Sequence, residues 1–343
     1  DGLVLTFNDI DYCKSLGATS HHPLHSFAYK WQDETYETTL IDVEWNVGRT
    51  GVITPTAIFE PVEIDGTTVE RASLHNLDIL GGLELGIGDT ITVYKANQII
   101  PQVDDNLTRS KTLEIPHICP CCVQETTKIT LNSTTLNCTN PNCKQKVLAR
   151  FEHFVSRDCM NIVGLSSATL ELLIEKDCIK EFYDLYDTDF IKTILTRQDG
   201  WKEKSINNLI NAINNSRKCT LAQFITSLGI DGVGKSQAKE IANNFKTHKK
   251  FMRGDSEMFE SVDGIGKITA TSLDNYLDEN IKSVEKLIGQ LDIQPIETTI
   301  IQSNSITGKT FVITGTINHY ANRKALQAEI ESMGGKVSGS VSK

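Results

Sequence analysis

The segment from Cys119 to Cys143 constrains this chain more than any other part of the sequence. Two pairs of cysteines, Cys119/Cys122 and Cys138/Cys143, are separated by fifteen residues, about the length of a β-hairpin. A Cys-x2-Cys pair places two sulfurs on one tight turn, and a second pair can complete a tetrahedron around Zn²⁺. Cys121 is surplus, because adjacent cysteines cannot both face one small ion. No histidine lies in the segment, so we predict a structural four-thiolate zinc site; a disulfide or free buried thiols are the alternatives.

The composition is that of a globular protein with several small cores. At about 100–200 residues per domain, 343 residues predict two to four domains. No apolar run approaches the ~20 residues of a membrane span, and no signal peptide is recognisable. Five of the nine cysteines lie in one cluster, which favours a reducing cytoplasm. The net charge of −10 argues against a protein that coats nucleic acid indiscriminately. Residues 144–250 nevertheless carry 17 Lys and Arg against 13 Asp and Glu, a local excess of four positive charges.

The region from about residue 37 to 103 predicts a small antiparallel barrel. Strand-like runs at 38–45, 52–59 and 89–94 alternate with glycine-bearing turns. Arg49 lies in Val-Gly-Arg-Thr-Gly, where its guanidinium can meet a phosphate. Lys95 is a second candidate for the same role. For both residues an ordinary surface charge is the alternative.

Two further strands are predicted before the barrel, at residues 1–7 and 27–31. Asp1 starts the first of them and Lys30 lies in the second. A carboxylate and an ammonium on neighbouring strands suit a site for a nucleotide phosphate and a metal ion. A chain-end aspartate and a solvated lysine are the alternative interpretation.

From Lys144 onward the apolar residues recur at helical spacing. Four glycine-bearing turns each precede a predicted helix. The glycine separations of 36 residues (164 to 200) and 32 residues (232 to 264) predict an internal repeat. The four turns are Val163–Ser166, Asp199–Lys202, Asp231–Lys235 and Asp263–Lys267.

The last two turns have the composition of a phosphate-binding helix-hairpin-helix. Glycines allow a close backbone approach, and the following helix presents unpaired N–H groups at its positive end. Such a grip gives affinity for the DNA backbone without sequence specificity. The first two turns contain fewer glycines and are predicted to be structural. The predicted DNA contacts are Gly232, Gly234, Lys235, Gly264, Gly266 and Lys267.

The last residues predict a strand at 308–315, a helix at 323–333 and a second strand near 334–341. This order resembles the start of a BRCT domain.

Five motifs follow one another along the chain: Asp-Gly-Leu-Val (1–4), Ala-Tyr-Lys-Trp (28–31), Val-Gly-Arg-Thr-Gly-Val-Ile-Thr-Pro (47–55), Ala-Ser-Leu-His-Asn (72–76) and Ile-Ile-Pro-Gln-Val (99–103). In this order they resemble bacterial NAD⁺-dependent DNA ligases. The resemblance implies a multidomain α+β chain: an oligonucleotide-binding (OB) antiparallel β-barrel, a four-cysteine zinc module, an all-α helix-hairpin-helix domain and a partial α/β BRCT domain.

The resemblance also implies domain boundaries. They are the end of a nucleotidyltransferase (adenylation) domain at 1–36, the OB barrel at 37–110, the zinc finger at 111–146, the helix-hairpin-helix domain at 147–290, a linker at 291–304 and a truncated BRCT domain at 305–343.

Carried over by motif, Asp1 matches a metal- and nucleotide-site carboxylate, and Lys30 matches the lysine of the last nucleotidyltransferase motif. Two positions depart from the family: Thr6 stands where lysine is frequent, and Leu24 where arginine is frequent. No Lys-x-Asp-Gly occurs in the 343 residues, so the lysine that becomes adenylylated in the family has no counterpart here.

The resemblance implies a bacterial enzyme of DNA replication and repair that seals nicks with NAD⁺ and Mg²⁺ or Mn²⁺, with structural Zn²⁺. This part would clamp nicked duplex DNA as a cytoplasmic monomer and be inactive alone, with a protein partner for the BRCT region. The alternative is a non-catalytic DNA-binding scaffold built from the same modules. The missing nucleophile favours the scaffold, and the retained Lys30 strand favours the ligase.

Overall fold

The computed structural model describes residues 3–17, 23–29, 34–130, 133–295, 306, 309–313, 320, 323–333 and 335–338. The chain divides into two compact units. One consists of Glu34–Ile296, and the other combines Asp1–Asp33 with Glu297–Lys343. No helix in the described ranges is long and apolar enough to cross a membrane.

The first segment contains two paired strands and one helix. Strand β1 (Leu3–Thr6) runs antiparallel to β2 (Ser26–Tyr29), and helix α1 (Ile10–Leu16) lies between them in sequence. Asp9 caps α1, because its carboxylate accepts from the backbone N–H groups of Asp11 and Tyr12. The two predicted strands are therefore confirmed where the structure describes them, and they pair with each other.

A closed five-stranded barrel follows. Its strands and one helix are β3 (Tyr36–Val47), β4 (Val52–Ile64), β5 (Thr67–Ser73), α2 (Leu77–Leu83), β6 (Thr90–Ala96) and β7 (Ile100–Asn106). The strand order is β3-β6-β7-β5-β4, and the pairing of β3 with β4 closes the ring. Alternate residues of β4 point inward, as the period of two requires. The three predicted strands of this region are confirmed, and Leu40, Phe59 and Ile91 fill the core.

The cysteine-rich region extends the barrel sheet. Strands β8 (Thr126–Thr130) and β9 (Thr134–Cys138) form a hairpin, and β9 pairs with β4 of the barrel. Val47, Ile53 and Leu136 pack together between barrel and hairpin. The hairpin, which lies within the predicted zinc finger at 111–146, shares a strand pairing and a small core with the barrel.

The later part of the larger unit, from Lys144 to Gln294, forms one helical domain with a single core. Its helices are α3 (Lys144–Val155), α4 (Ser167–Glu175), a 3₁₀ helix (Phe182–Tyr186), α5 (Thr188–Leu195), α6 (Glu203–Ser216), α7 (Leu221–Ser227), α8 (Lys235–Phe245), α9 (His248–Phe251), α10 (Ser256–Glu260) and α11 (Lys267–Gln290). Two short strands, β10 (Lys218–Thr220) and β11 (Asp292–Gln294), pair in parallel. The predicted change from strand to helix near Lys144 is confirmed.

The predicted linker at 291–304 is wrong at its start. Strand β11 belongs to the helical domain, because it pairs with β10 and buries Ile293 in the core. Arg217 strengthens this connection, since its Nη1 donates to the carbonyl oxygen of Gln290 at 3.0 Å. The helical domain therefore continues past residue 290.

The last segment contains β12 (Thr310–Val312), α12 (Arg323–Ser332) and β13 (Lys336–Ser338), with β12 parallel to β13. The predicted strand–helix–strand order is confirmed. A parallel pair joined by a helix is the expected βαβ connection. Its assignment to a BRCT domain stays a prediction.

Candidate metal centre and nucleic-acid interface

Four cysteine thiols meet at one point beside the barrel. The Sγ atoms of Cys119, Cys122, Cys138 and Cys143 all lie within 4.8 Å of one another. The Cys122 and Cys138 sulfurs are 3.5 Å apart, far beyond a disulfide bond of about 2.05 Å. All the cysteines are free, and Cys121 is exposed outside the cluster. The predicted ligand set is therefore brought together, and the surplus cysteine is left out.

Local structure explains how the four sulfurs converge. The backbone N–H of Cys119 donates to the Gln124 carbonyl oxygen at 2.8 Å, and this closes the first turn. Cys138 ends strand β9, and Cys143 is the residue immediately before helix α3. A thiolate at a helix N-terminus is favoured by the helix dipole.

The electrostatics of the cluster suit a cation. Burial favours the neutral thiol of Cys122, but hydrogen bonds involving Gln124 and Asn140 outweigh it and lower its pKa to about 6. Burial raises the pKa of Cys138, and the adjacent Cys122 and Cys119 thiols add to that rise. Ionisation of all four thiols so close together requires a positive charge between them, which a Zn²⁺ ion would supply. The donor set and the spacing fit a tetrahedral four-sulfur site.

The four predicted hairpin turns share one backbone geometry. In each turn the first glycine is in the left-handed region, with φ of 94°, 85°, 79° and 79° along the chain. A side chain there is strained, so these positions favour glycine. The helix begins three residues later in every case. The glycines are Gly164, Gly200, Gly232 and Gly264, and they precede α4, α6, α8 and α11.

The caps of the four helices differ. The Ser166 hydroxyl accepts the Thr169 N–H at 3.3 Å, so α4 is capped by its own side chain. At α6 the Ser205 hydroxyl accepts the N–H of Lys202 at 3.1 Å. Gly234 and Gly266 are the N-caps of α8 and α11, and neither offers a side-chain hydrogen bond. The first N–H groups of these two helices are left for a ligand.

The surroundings also distinguish the third turn from the fourth. A methyl group on Gly232 would lie 2.9 Å from the Thr269 hydroxyl oxygen, so this glycine packs closely against α11. No described atom lies within 4 Å of a methyl group placed on Gly264 or Gly266. The fourth turn is therefore the more open of the two.

The two predicted lysines have different partners. Lys235 Nζ lies 2.6 Å from Asp158 Oδ1, and both side chains are mostly exposed. Such a pair contributes about 0–1 kcal/mol, so a phosphate can replace the carboxylate. Lys267 is exposed and forms no ion pair within the described ranges.

The two predicted phosphate contacts in the barrel are engaged by protein oxygens. Arg49 Nη1 donates to the carbonyl oxygen of Gly229, and His153 Nε2 lies 2.8 Å from the Thr226 carbonyl oxygen. The β3–β4 turn therefore meets the end of α7. Lys95 Nζ donates to the Ile64 carbonyl oxygen at 2.6 Å. A phosphate role for Arg49 or Lys95 stays a prediction.

The predicted nucleotide site falls mostly outside the described residues. Asp1 and Lys30 both lie there. Of the two positions that depart from the family, the Thr6 hydroxyl lies 3.0 Å from that of Ser26, and Leu24 is exposed. The nucleotide site therefore stays a prediction.

Sequence reasoning overlooked two basic residues of α3. Lys146 and Arg150 are four residues apart and line one groove with Arg49. Their spacing on a helix that starts directly after Cys143 was the signal that could have found them.

Comparison with known sequence families gives two matches. Residues 37–114 match the family described as NAD-dependent DNA ligase OB-fold domain, which covers strands β3 to β7. Residues 223–286 match a helix-hairpin-helix motif, which includes the third and fourth turns.

Curated relatives extend the match along the whole chain. A DNA ligase of Lachnoclostridium phytofermentans is 47% identical over 345 residues, 99% of this chain and 53% of the relative. A DNA ligase of Ruminiclostridium cellulolyticum is 47% identical over 99% of the chain and 52% of the relative. One from Pediococcus pentosaceus is 39% identical over 100% of the chain and 52% of the relative.

These matches are consistent with a portion of a bacterial NAD⁺-dependent DNA ligase. The chain spans about half the length of the curated ligases that it matches. The ligase OB-fold match coincides with the closed barrel, so the barrel and the helix-hairpin-helix domain of the predicted architecture are confirmed.

Proposed function

We propose that this chain forms the DNA-clamping part of a ligase that seals nicks between a 5′-phosphate and a 3′-hydroxyl. The observation that carries the proposal is the set of four similar hairpin turns, two of which have a glycine as the N-cap of the following helix. Backbone N–H groups at a helix N-terminus are a general way to hold phosphate. The contact would therefore be with the DNA backbone and independent of sequence.

Within this function the third and fourth turns would each hold a phosphate. Gly264 and Gly266 give the backbone an open approach, and Lys267 adds a cation at the start of α11. Lys235 would exchange Asp158 for a phosphate in the third turn. The barrel would cover the duplex from another side, with Arg49 and Lys95 as secondary contacts.

The nucleotide chemistry of the family proceeds through a ligase–AMP and then a DNA-adenylate intermediate. Asp1 and Lys30 would contribute to the nucleotide site, together with the NAD⁺ and divalent metal that the family uses. The lysine that carries AMP is expected in a Lys-x-Asp-Gly sequence, which is absent from these 343 residues. We therefore propose that the isolated chain does not seal nicks.

The zinc ion would be structural. Cys119, Cys122, Cys138 and Cys143 would occupy all four positions of a tetrahedron and leave none for water or substrate. The ion would fix the β8–β9 hairpin to the start of α3. In this way it would join the barrel to the helical domain.

The proposal is tested by equilibrium binding of the isolated chain to nicked and intact duplex DNA over a series of salt concentrations. We expect preference for the nick and an affinity that falls as salt rises, with a slope of about −0.9 per phosphate contacted. A parallel incubation with NAD⁺ is expected to give no protein–AMP adduct. Absence of DNA binding at low salt by folded, zinc-loaded protein would contradict the clamp.

We also expect a monomeric cytoplasmic protein that acts in DNA replication or repair. The last segment would belong to a BRCT domain that contacts a protein partner.

A further inference from the structure

A groove of about 490 Å³ lies where the barrel, the zinc hairpin and the helical domain meet. Its walls include Arg49 of the β3–β4 turn, Pro141 of the second cysteine loop, Lys146 and Arg150 of α3, and Tyr276 of α11. The volume is within the range of sites that bind small ligands. Three structural modules therefore contribute to one concave surface.

The groove is lined by three cations and two carboxylates, an excess of one positive charge. Arg49, Lys146 and Arg150 take part in none of the ion pairs found in the described part of the chain. Asp231 and Glu279 also line the groove, but neither pairs with these cations. Like charges along one concave wall reinforce each other's field and attract an anion.

Each cation is held in place without losing its capacity to bind. Arg49 uses one N–H on the Gly229 carbonyl oxygen and retains other donors of its guanidinium. The Arg150 guanidinium lies 5.5 Å from the centre of the Phe182 ring. Lys146 Nζ is 3.5 Å from the Cys138 carbonyl oxygen, which is a weak contact.

The opposite wall adds neutral hydrogen-bonding groups. Ser272, Asn275 and Tyr276 line the groove from α11. Burial raises the pKa of Tyr276 to about 12, although the charge of Arg150 acts in the other direction. The phenol therefore keeps its proton and can donate a hydrogen bond. Guanidinium, ammonium and hydroxyl donors that surround one groove suit a tetrahedral oxyanion.

We propose that this groove binds a phosphate group, supplied either by the DNA backbone or by a free polyphosphate. Binding of a DNA backbone phosphate rests on the proposed function, whereas binding of a free polyphosphate does not. A phosphate bound there would contact the barrel turn and α3 together, and so stabilise their arrangement around the ligand.

The first experiment removes two cations that lie on one helix. The double variant Lys146→Gln/Arg150→Gln is compared with Lys192→Gln/Arg197→Gln, a matched change at positions outside the groove. Binding to nicked duplex is measured over a salt series. If DNA supplies the phosphate, the groove variant loses about 0.9 to 1.8 from the magnitude of the salt slope, and the control loses none.

The second experiment tests the free ligand. Inorganic pyrophosphate is added to each protein, and the thermal midpoint is measured by differential scanning calorimetry. A midpoint that rises for wild type and for the control, but not for the groove variant, supports a free polyphosphate as the source. The midpoints without pyrophosphate verify that all three proteins are folded.

The outcomes separate the two proposals. An unchanged salt slope together with no selective response to pyrophosphate overturns the phosphate groove, even if DNA binds well elsewhere. Wild-type protein that does not bind DNA overturns the proposed clamp, and the pyrophosphate experiment then decides the groove alone.

Discussion

The first and fourth hairpin turns have similar glycine conformations, but the helices that follow them have different N-caps. Gly164 and Gly264 are both left-handed, and a helix begins three residues after each. The helix after Gly164 is capped by the Ser166 hydroxyl, whereas the helix after Gly264 has only Gly266 as its N-cap. The turn geometry therefore serves two purposes. It connects helices at the first site, and at the fourth it also leaves N–H groups that can bind phosphate.

The largest expected effect is from zinc removal, which tests whether the turns depend on a shared scaffold. In the variant Cys138→Ser we expect the β8–β9 hairpin and the first turn of α3 to lose hydrogen-exchange protection, because the hairpin has little core of its own. DNA affinity should fall at least tenfold, while α11, whose Leu273 and Leu277 lie in the helical core, stays protected. The control is Cys121→Ser, which alters an exposed thiol outside the cluster. Full DNA affinity without bound zinc would contradict this dependence.

Alanine substitutions in the first and fourth turns should separate protein stability from DNA affinity. The variants Gly164→Ala and Gly264→Ala should each lower the free energy of unfolding by about 1–2 kcal/mol, because alanine is disfavoured in the left-handed region. Only Gly264→Ala should also weaken DNA binding, by about tenfold. Urea unfolding and DNA titration of both variants check this prediction. Equal loss of DNA affinity in the two variants would show that the turns do not differ in function.

A smaller effect is expected from the lysines. Lys267→Gln should lower DNA affinity about fivefold and reduce the magnitude of the salt slope by about 0.9, as for one lost phosphate contact. Asp158→Asn removes the carboxylate partner of Lys235 and should raise DNA affinity slightly, since the ammonium is then free for phosphate. The measurement is binding to one nicked duplex at four salt concentrations. The prediction for Lys267 is wrong if its variant keeps the wild-type slope.

Much of this architecture was predictable because it depends on short patterns. The Cys-x2-Cys spacing determined which four of five clustered cysteines converge, and the Gly-x-Gly-Lys sequences marked the starts of α8 and α11. Contacts between distant residues were not predictable. The pairing of β9 with β4 and the contact between Arg49 and Gly229 depend on how separate modules pack. For the same reason, the contact of Arg49 with a carbonyl oxygen could not be predicted when the sequence indicated a phosphate contact for this residue.

The role of the uncapped N–H groups of α11 in DNA binding is tested most directly by an exchange of the two caps. Gly266→Ser introduces a cap where φ is −90° and the space around the glycine is open, so the protein should fold as before. The serine hydroxyl would occupy an N–H that is otherwise left for phosphate, as Ser166 does at α4. We measure DNA affinity for Gly266→Ser and for Ser166→Gly. We expect a loss of about two- to threefold in the first variant and no loss in the second. Unchanged affinity in Gly266→Ser, or an equal loss in both variants, would contradict it.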